Sequence, residues 1–205
     1  MLGYTWRRIR KSLKSKRDQR VFDWQKAEID AFMKLHRDGY IDLYFADACH
    51  FSLTPSVRYV WQKKGEQILV PSAKSIALSV FGLMTPDCML FSETFQGTLN
   101  SDKIIDVIDE FSKTIIKQTV VVVDNAPVHH SKAFQAKIQE WQKLDLYVYF
   151  LPPYSPELNK IETLWRFIKY KWLPLNAYAN IKNLKERLAD ILDNIGQSKY
   201  SINFY

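Results

Sequence analysis

The chain has 205 residues, of which 47% are hydrophobic and 25% charged, as in a globular domain and unlike a disordered or fibrous protein. Its formal net charge of +7 lies in residues 1–20, the basic tail, which carry eight cations and one acid, whereas the other 185 residues are formally neutral. No apolar run approaches the roughly 20 residues of a membrane span. We therefore expect one cytoplasmic domain whose basic tail binds an anionic partner, either nucleic acid or a membrane surface.

The first half of the chain predicts a linker, a helix near residues 23–37 and then a run of strands. The strands are expected at 41–53, 57–65, 75–86 and 89–97, joined by the short connections of an antiparallel meander. In the first strand, Asp47 shares a face with the apolar residues before it by period-two alternation.

The second half predicts alternating helices and strands. Helical periodicity marks 100–117, 131–143, 156–172 and 180–195, and two apolar, β-rich runs at 119–125 and 146–153 are typical of buried strands. Such alternation implies parallel crossovers. The fold class is therefore α/β, with a mixed sheet of meander and parallel strands flanked by helices.

Three acids stand where these elements can bring them to one crevice. Asp124 ends a buried strand, Asp47 lies on the apolar face of the first strand, and Glu162 lies at the edge of the buried stripe of helix 156–172. Each has a simpler explanation: a turn or cap for Asp124, a solvated position for Asp47 if its strand ends at Phe45, and an ordinary surface acid for Glu162.

Taken together, the three acids favour a metal site. Carboxylates from three separate elements suit Mg²⁺ or Mn²⁺, and two such ions would support phosphoryl transfer. Asn125 and His129 are auxiliary candidates. His129 would act as a proton shuttle or phosphate contact, although a structural histidine at a helix start explains it equally well. No glycine-rich nucleotide motif or GxSxG occurs, which argues against a nucleotide cofactor and a serine hydrolase.

Three segments carry a family resemblance. FADACHF (45–51), VVVDNAPVHHS (121–131) and LPPYSPELNKIETLW (151–165) occur in this order. They closely resemble the catalytic domain of IS630-type transposases, in the IS630/Tc1/mariner group of DDE transposases. The chain departs from the family pattern at Ala48, where Glu is common, and at Lys160, where Pro is common. The 38 positions between Asp124 and Glu162 are slightly more than is usual in the group.

The resemblance implies an RNase H-like fold over residues 39–205 and a catalytic, metal-binding triad of Asp47, Asp124 and Glu162. It further implies Mg²⁺ or Mn²⁺ as cofactor, as a pair of ions, with cleavage and strand transfer of double-stranded DNA by a homo-oligomer near the nucleoid. Residues 1–38 resemble the connection to a helix-turn-helix head. The chain is then expected to be a truncated copy, a second reading frame or an isolated catalytic half.

The alternatives are a catalytically silent remnant that regulates a full-length transposase, and a stand-alone RNase H-like nuclease. In either case the membrane no longer fits as partner, and the basic tail is expected to contact phosphates. The aromatic cluster around Trp165 fits core packing better than base stacking. The candidate DNA contacts are Arg7, Arg8, Arg10, Lys11, Lys14, Lys16, Arg17, Lys160, Arg166 and Lys169.

Overall fold

A computed structural model describes residues 14–56, 61–67, 69, 77–197 and 199–202. The strands in these ranges are β1 (Asp42–Phe51), β2 (Leu78–Met84), β3 (Leu90–Gln96), β4 (Thr119–Val123) and β5 (Leu146–Phe150). The α-helices are α1 (Gln19–Arg37), α2 (Ser101–Ser112), α3 (Lys132–Gln142), α4 (Ile161–Phe167) and α5 (Ile181–Asp193). None of these helices is long and apolar enough to cross a membrane.

The five strands form one mixed sheet in the order β3-β2-β1-β4-β5. β1, β2 and β3 pair antiparallel, and β4 runs parallel to both β1 and β5. The three parallel strands therefore place their carboxyl ends at the same edge of the sheet. This is the edge at which α/β sheets bind their ligands.

Helices cover both faces of the sheet, and a separate apolar cluster fills each interface. On one face, α1, α4 and α5 pack on the side of β1 that carries Leu43, Phe45, Cys49 and Phe51. On the other face, α2 and α3 pack with Trp141 as the largest fully buried side chain. The central strand β4 is buried along its whole length, because it contributes valines to both clusters.

The predicted α/β mixed sheet is confirmed. Several element ends are displaced from expectation, the helix expected at 100–117 ending at Ser112, and three elements differ in kind. The strand expected at 57–65 is not formed in the described residues 61–65, while 57–60 lie outside the described ranges. β5 is an edge strand, not a fully buried one, because only β4 pairs with it and Tyr147 is exposed. The helix expected at 156–172 is interrupted: a 3₁₀ turn at Pro156–Leu158 precedes α4, and a π-helical turn at Ile168–Trp172 follows it.

The π-helical turn changes which side chains are buried after α4. The amide of Leu173 bonds to the carbonyl of Ile168 at 3.0 Å, five residues back. Leu173 therefore takes the buried position that regular α-helical spacing from Ile168 would give to Trp172. Trp172 is instead partly exposed and packs against Phe167 and Tyr200.

Candidate functional site

A cavity of about 460 Å³ lies at the carboxyl ends of β4 and β5. We call it the acid cleft, because Asp124 and Glu162 line it together with Asn125, Tyr154 and Asn159. Asp47 is not among the described residues that line it. The cleft thus contains two of the three predicted acids. The third, Asp47, lies on β1, and its position relative to Asp124 follows from the pairing of β1 with β4.

Asp47 and Asp124 lie level with each other on neighbouring parallel strands. Phe45 pairs with Val122 across β1 and β4, so the residues two positions further along each strand are Asp47 and Asp124. Strand β1 continues past this point to Phe51, paired with β2, whereas β4 ends at Val123. The alternative that β1 ends at Phe45 is therefore wrong, and Asp47 lies within a strand.

Asp47 carries the most perturbed carboxyl group of the site. Burial raises its pKa to about 7, and the negative charges of Glu162 and Asp124 act in the same direction. Two hydrogen bonds oppose this rise: one from the backbone N–H of Ala48 and one from Trp165 Nε1, which lies 3.0 Å from Asp47 Oδ2. Metal-free Asp47 is therefore only partly ionised at neutral pH.

Asp124 has the opposite electrostatic setting. Burial alone would raise its pKa, but His129 lowers it, with Nε2 at 3.3 Å from Asp124 Oδ1. The backbone N–H of Ala126 also donates to this carboxylate, at 3.2 Å. His129 is itself buried with its ring edge against Phe134, so the histidine holds Asp124 from a fixed position. The net effect is a lowered pKa and a stably ionised Asp124.

Glu162 lies in the first turn of α4, next to the buried Ile161 in sequence, and is itself exposed, as expected for the edge of the buried stripe. Burial and the charge of Asp124 raise its pKa, while Lys169 and Arg166 lower it. These two cations are candidate DNA contacts, and they lie close enough to Glu162 to affect its ionisation.

The three carboxylates repel one another but do not form a closed ligand cluster. In the ranges that the structure describes, no group of three or more His, Cys, Asp or Glu side chains is placed to hold a metal ion as it stands. Their chemistry nonetheless fits a hard divalent cation, because all are oxygen donors whose mutual repulsion a cation would offset. The side chains would have to close around such an ion.

Several other predicted residues have intramolecular partners. Asn125 lines the acid cleft, and its side-chain oxygen is hydrogen-bonded to His130. The guanidinium of Arg17 pairs with Glu157 at 2.5 Å and lies over the ring of Phe22, so this side chain is only 10% exposed. Lys14 also approaches Glu157, at 3.2 Å. The start of the described chain is thus tied to the turn before α4.

Other DNA-contact candidates remain predictions. Lys160 directly precedes α4, and the Lys169 ammonium lies 5.3 Å from the centre of the Phe51 ring. Lys16 is exposed. The remaining candidates, Arg7, Arg8, Arg10 and Lys11, lie outside the described residues.

Sequence patterns do not identify three residues of the site. Helical periodicity assigns Trp165 to the core stripe of its helix, which is correct, but its indole N–H also holds Asp47. Gly82, opposite Asp47 on β2, leaves room for that indole, because a Cβ there would lie 3.1 Å from Trp165 Cη2. Asn159 donates from Nδ2 to the carbonyl of Ala46 at 3.0 Å. The rule that a buried indole N–H needs an acceptor could have indicated Trp165.

A five-stranded mixed sheet with helices on both faces, and with acids on two adjacent parallel strands and on the helix after β5, defines an RNase H-like domain. The profile of the DDE superfamily endonuclease family matches residues 42–185, a range that includes all three acids. The chain belongs to this family. No curated protein sequence matches it.

Solved structures with the same fold include three of the Mos1 transposase. The Mos1 paired-end complex with left transposon end matches with a TM-score of 0.60 at 13% identity, over 94% of this chain and 60% of that one. The Mos1 mariner paired end complex with Mn matches with a TM-score of 0.60 at 15% identity, over 94% and 60%. The catalytic domain of Mos1 mariner transposase matches with a TM-score of 0.53 at 13% identity, over 86% and 82%. The chain thus spans 60% of the length of the chains in the two complexes.

Proposed function

We propose that this chain is the catalytic domain of an IS630-type DDE transposase, which cleaves DNA strands and transfers them with the help of a divalent metal. The observation that carries this proposal is the placement of Asp47 level with Asp124 beside the carboxyl end of β4, near Glu162, where each acid perturbs the ionisation of another. The Mos1 structures of the same fold include complexes with a transposon end, a strand transfer complex, and complexes with Mn and Mg, which supports the same chemistry here.

In the proposed mechanism Asp47, Asp124 and Glu162 would hold Mg²⁺ or Mn²⁺, as a pair of ions. Bound cations would supply charge for the attacking and leaving oxygens of an in-line displacement. Among the residues of the chain, His129 keeps Asp124 ionised and oriented, and Trp165 fixes one oxygen of Asp47. Arg166 and Lys169 contribute positive charge beside Glu162, where the phosphate backbone of the DNA would approach.

A nicking assay tests this proposal. The protein is incubated with Mg²⁺ or Mn²⁺ and with DNA that bears the element ends, and any head domain is added in trans. Asp124→Asn should abolish nicking and leave folding and DNA affinity largely intact. Asp106→Asn is the matched control, because Asp106 is exposed on α2, on the face of the sheet opposite to α4. This variant should nick DNA like the parent. Equal cleavage by Asp124→Asn and the parent would refute the triad. DNA binding without cleavage by the parent would favour the silent regulator.

Phosphate binding by the basic tail can be tested separately through the salt dependence of DNA affinity. Every cation that neutralises a phosphate contributes about 0.9 to the slope of log K against log salt concentration. Replacing Arg7, Arg8, Arg10 and Lys11 by Gln should therefore flatten the slope by up to about 4 and leave metal affinity unchanged. An unchanged slope would mean that other residues bind the DNA phosphates.

A further inference from the structure

Asn159 is a buried polar residue between the elements that carry two of the acids. The residue is 2% exposed, and it lies in the loop between the 3₁₀ turn and α4. Its Nδ2 donates to the carbonyl of Ala46, the residue before Asp47. Its own backbone carbonyl accepts the N–H of Glu162 at 3.1 Å. One residue thus links strand β1 beside Asp47 to the first turn of α4 at Glu162.

The hydrogen bond to Ala46 fixes the orientation of the Asn159 amide. A backbone carbonyl can only accept, so the atom facing Ala46 must be the nitrogen. The other atom, Oδ1, is buried and has no hydrogen-bond partner among the described residues. A buried acceptor without a donor is unfavourable, and most such groups in proteins are satisfied by protein or by ordered water.

Asn159 lines the acid cleft, so the contents of the cleft can supply the donor that Oδ1 lacks. The acids of the cleft, Asp124 and Glu162, only accept hydrogen bonds when ionised, and a phosphodiester offers no donor either. Water does donate, and water bound to a divalent cation is a particularly strong donor because the cation polarises it. Mg²⁺ usually keeps several such waters in protein sites.

We propose that Asn159 is a positioning residue of the cation site, where Oδ1 accepts a hydrogen bond from a water of the cation's shell while Nδ2 ties α4 to β1. This inference rests on the proposed function, because it requires the acids to bind a divalent ion. It assigns to Asn159 an outer-shell role, distinct from the direct ligand role proposed for the carboxylates. Outer-shell partners of this kind contribute about 10- to 100-fold to metal affinity.

The test is Mn²⁺ binding to the whole chain without DNA, measured from the electron paramagnetic resonance signal of free Mn²⁺. Asn159→Ala should weaken binding by about 10- to 100-fold. Asn194→Ala is the matched control: Asn194 also donates from Nδ2 to a backbone carbonyl, that of Asp190 at 2.8 Å, but at the end of α5. It should bind Mn²⁺ like the parent. All proteins are compared below their unfolding temperatures, so that global unfolding does not contribute to a change in affinity.

Each outcome decides the proposal. Binding by folded Asn159→Ala within twofold of the parent overturns it. If Asn159→Ala does not fold, Asn159→Ser is judged by the same criterion, since its hydroxyl is too short to serve both partners. Asp124→Asn distinguishes a wrong role for Asn159 from a wrong metal site. Loss of Mn²⁺ in Asp124→Asn but not in Asn159→Ala overturns only the role of Asn159, whereas a parent that binds no Mn²⁺ overturns the metal site as well.

Discussion

Replacing Asp47 by Asn should stabilise the metal-free protein and abolish its activity. The folded pKa of Asp47 is about 7 against an ordinary value of 3.8, so between these pH values the folded chain holds a proton that the unfolded chain has lost. The free energy of unfolding of the parent therefore falls as the pH rises from about 4 to 7 and stays low above that. Asn resembles the protonated acid and has no such loss.

The size of the gain follows from the shift. About three pKa units correspond to about 4 kcal/mol, and relaxation around the charge reduces this to about 2–4 kcal/mol at pH 8. At pH 4 the gain should nearly vanish, because Asp47 is then protonated in the folded protein. Trp165 Nε1 can donate to the amide oxygen of Asn as it does to the carboxylate, so this hydrogen bond is kept.

The assay is urea unfolding in EDTA at pH 4, 6 and 8. Asp124→Asn is the informative comparison, because the pKa of Asp124 is lowered and its charge is stabilised by His129. That variant should lose about 1 kcal/mol at pH 8, the contribution of its hydrogen bonds. Excess Mg²⁺ should raise the stability of the parent more than that of Asp47→Asn. A gain for Asp47→Asn that does not grow with pH would refute the reasoning.

Three further experiments test by urea unfolding the residues that pack around the acids. Gly82→Ala should cost about 1–2 kcal/mol and slow nicking, because the new Cβ displaces the Trp165 indole that holds Asp47; wild-type rates would contradict this. Tyr154 has a φ of 61°, so Tyr154→Gly should stabilise by up to about 1 kcal/mol and Tyr154→Val should destabilise; the reverse order would exclude backbone strain. A double-mutant cycle with Arg17→Gln and Glu157→Gln should give a coupling near 1 kcal/mol, and zero coupling would mean a surface pair without effect.

The sequence predicted the positions of the candidate acids better than the shape of the elements around them. Period-two alternation placed Asp47 on the core face of β1, and helical periodicity placed Glu162 at the edge of its stripe, because both patterns depend only on local geometry. Trp165 and Asn159 could not be found this way. Their partners, Asp47 and Ala46, lie more than a hundred residues away, and periodicity does not report which distant acceptor a buried donor meets.

The errors about the elements have a similar origin. β5 reads as a buried strand because its aromatic side chains are apolar, yet strand order, which composition does not encode, puts it at the edge. The π-helical turn after α4 depends on which side chain fills the core next to α5. Because residues 172 and 173 are both apolar, the sequence pattern fits an α-helical and a π-helical spacing equally well. In the structure it is Leu173 that is buried.

The different environments of Asp47 and Asp124 support a chemical role for Asp47. Asp124 lies at a strand end where a histidine and a backbone N–H stabilise its charge, so a structural role could account for it. Asp47 lies within a strand, on a face that otherwise carries Leu43 and Phe45, and burial there raises the pKa of its carboxyl group to about 7. A chain shaped by stability alone would carry an apolar residue or an amide there. A buried carboxylate level with Asp124 is better explained by a function that requires its charge.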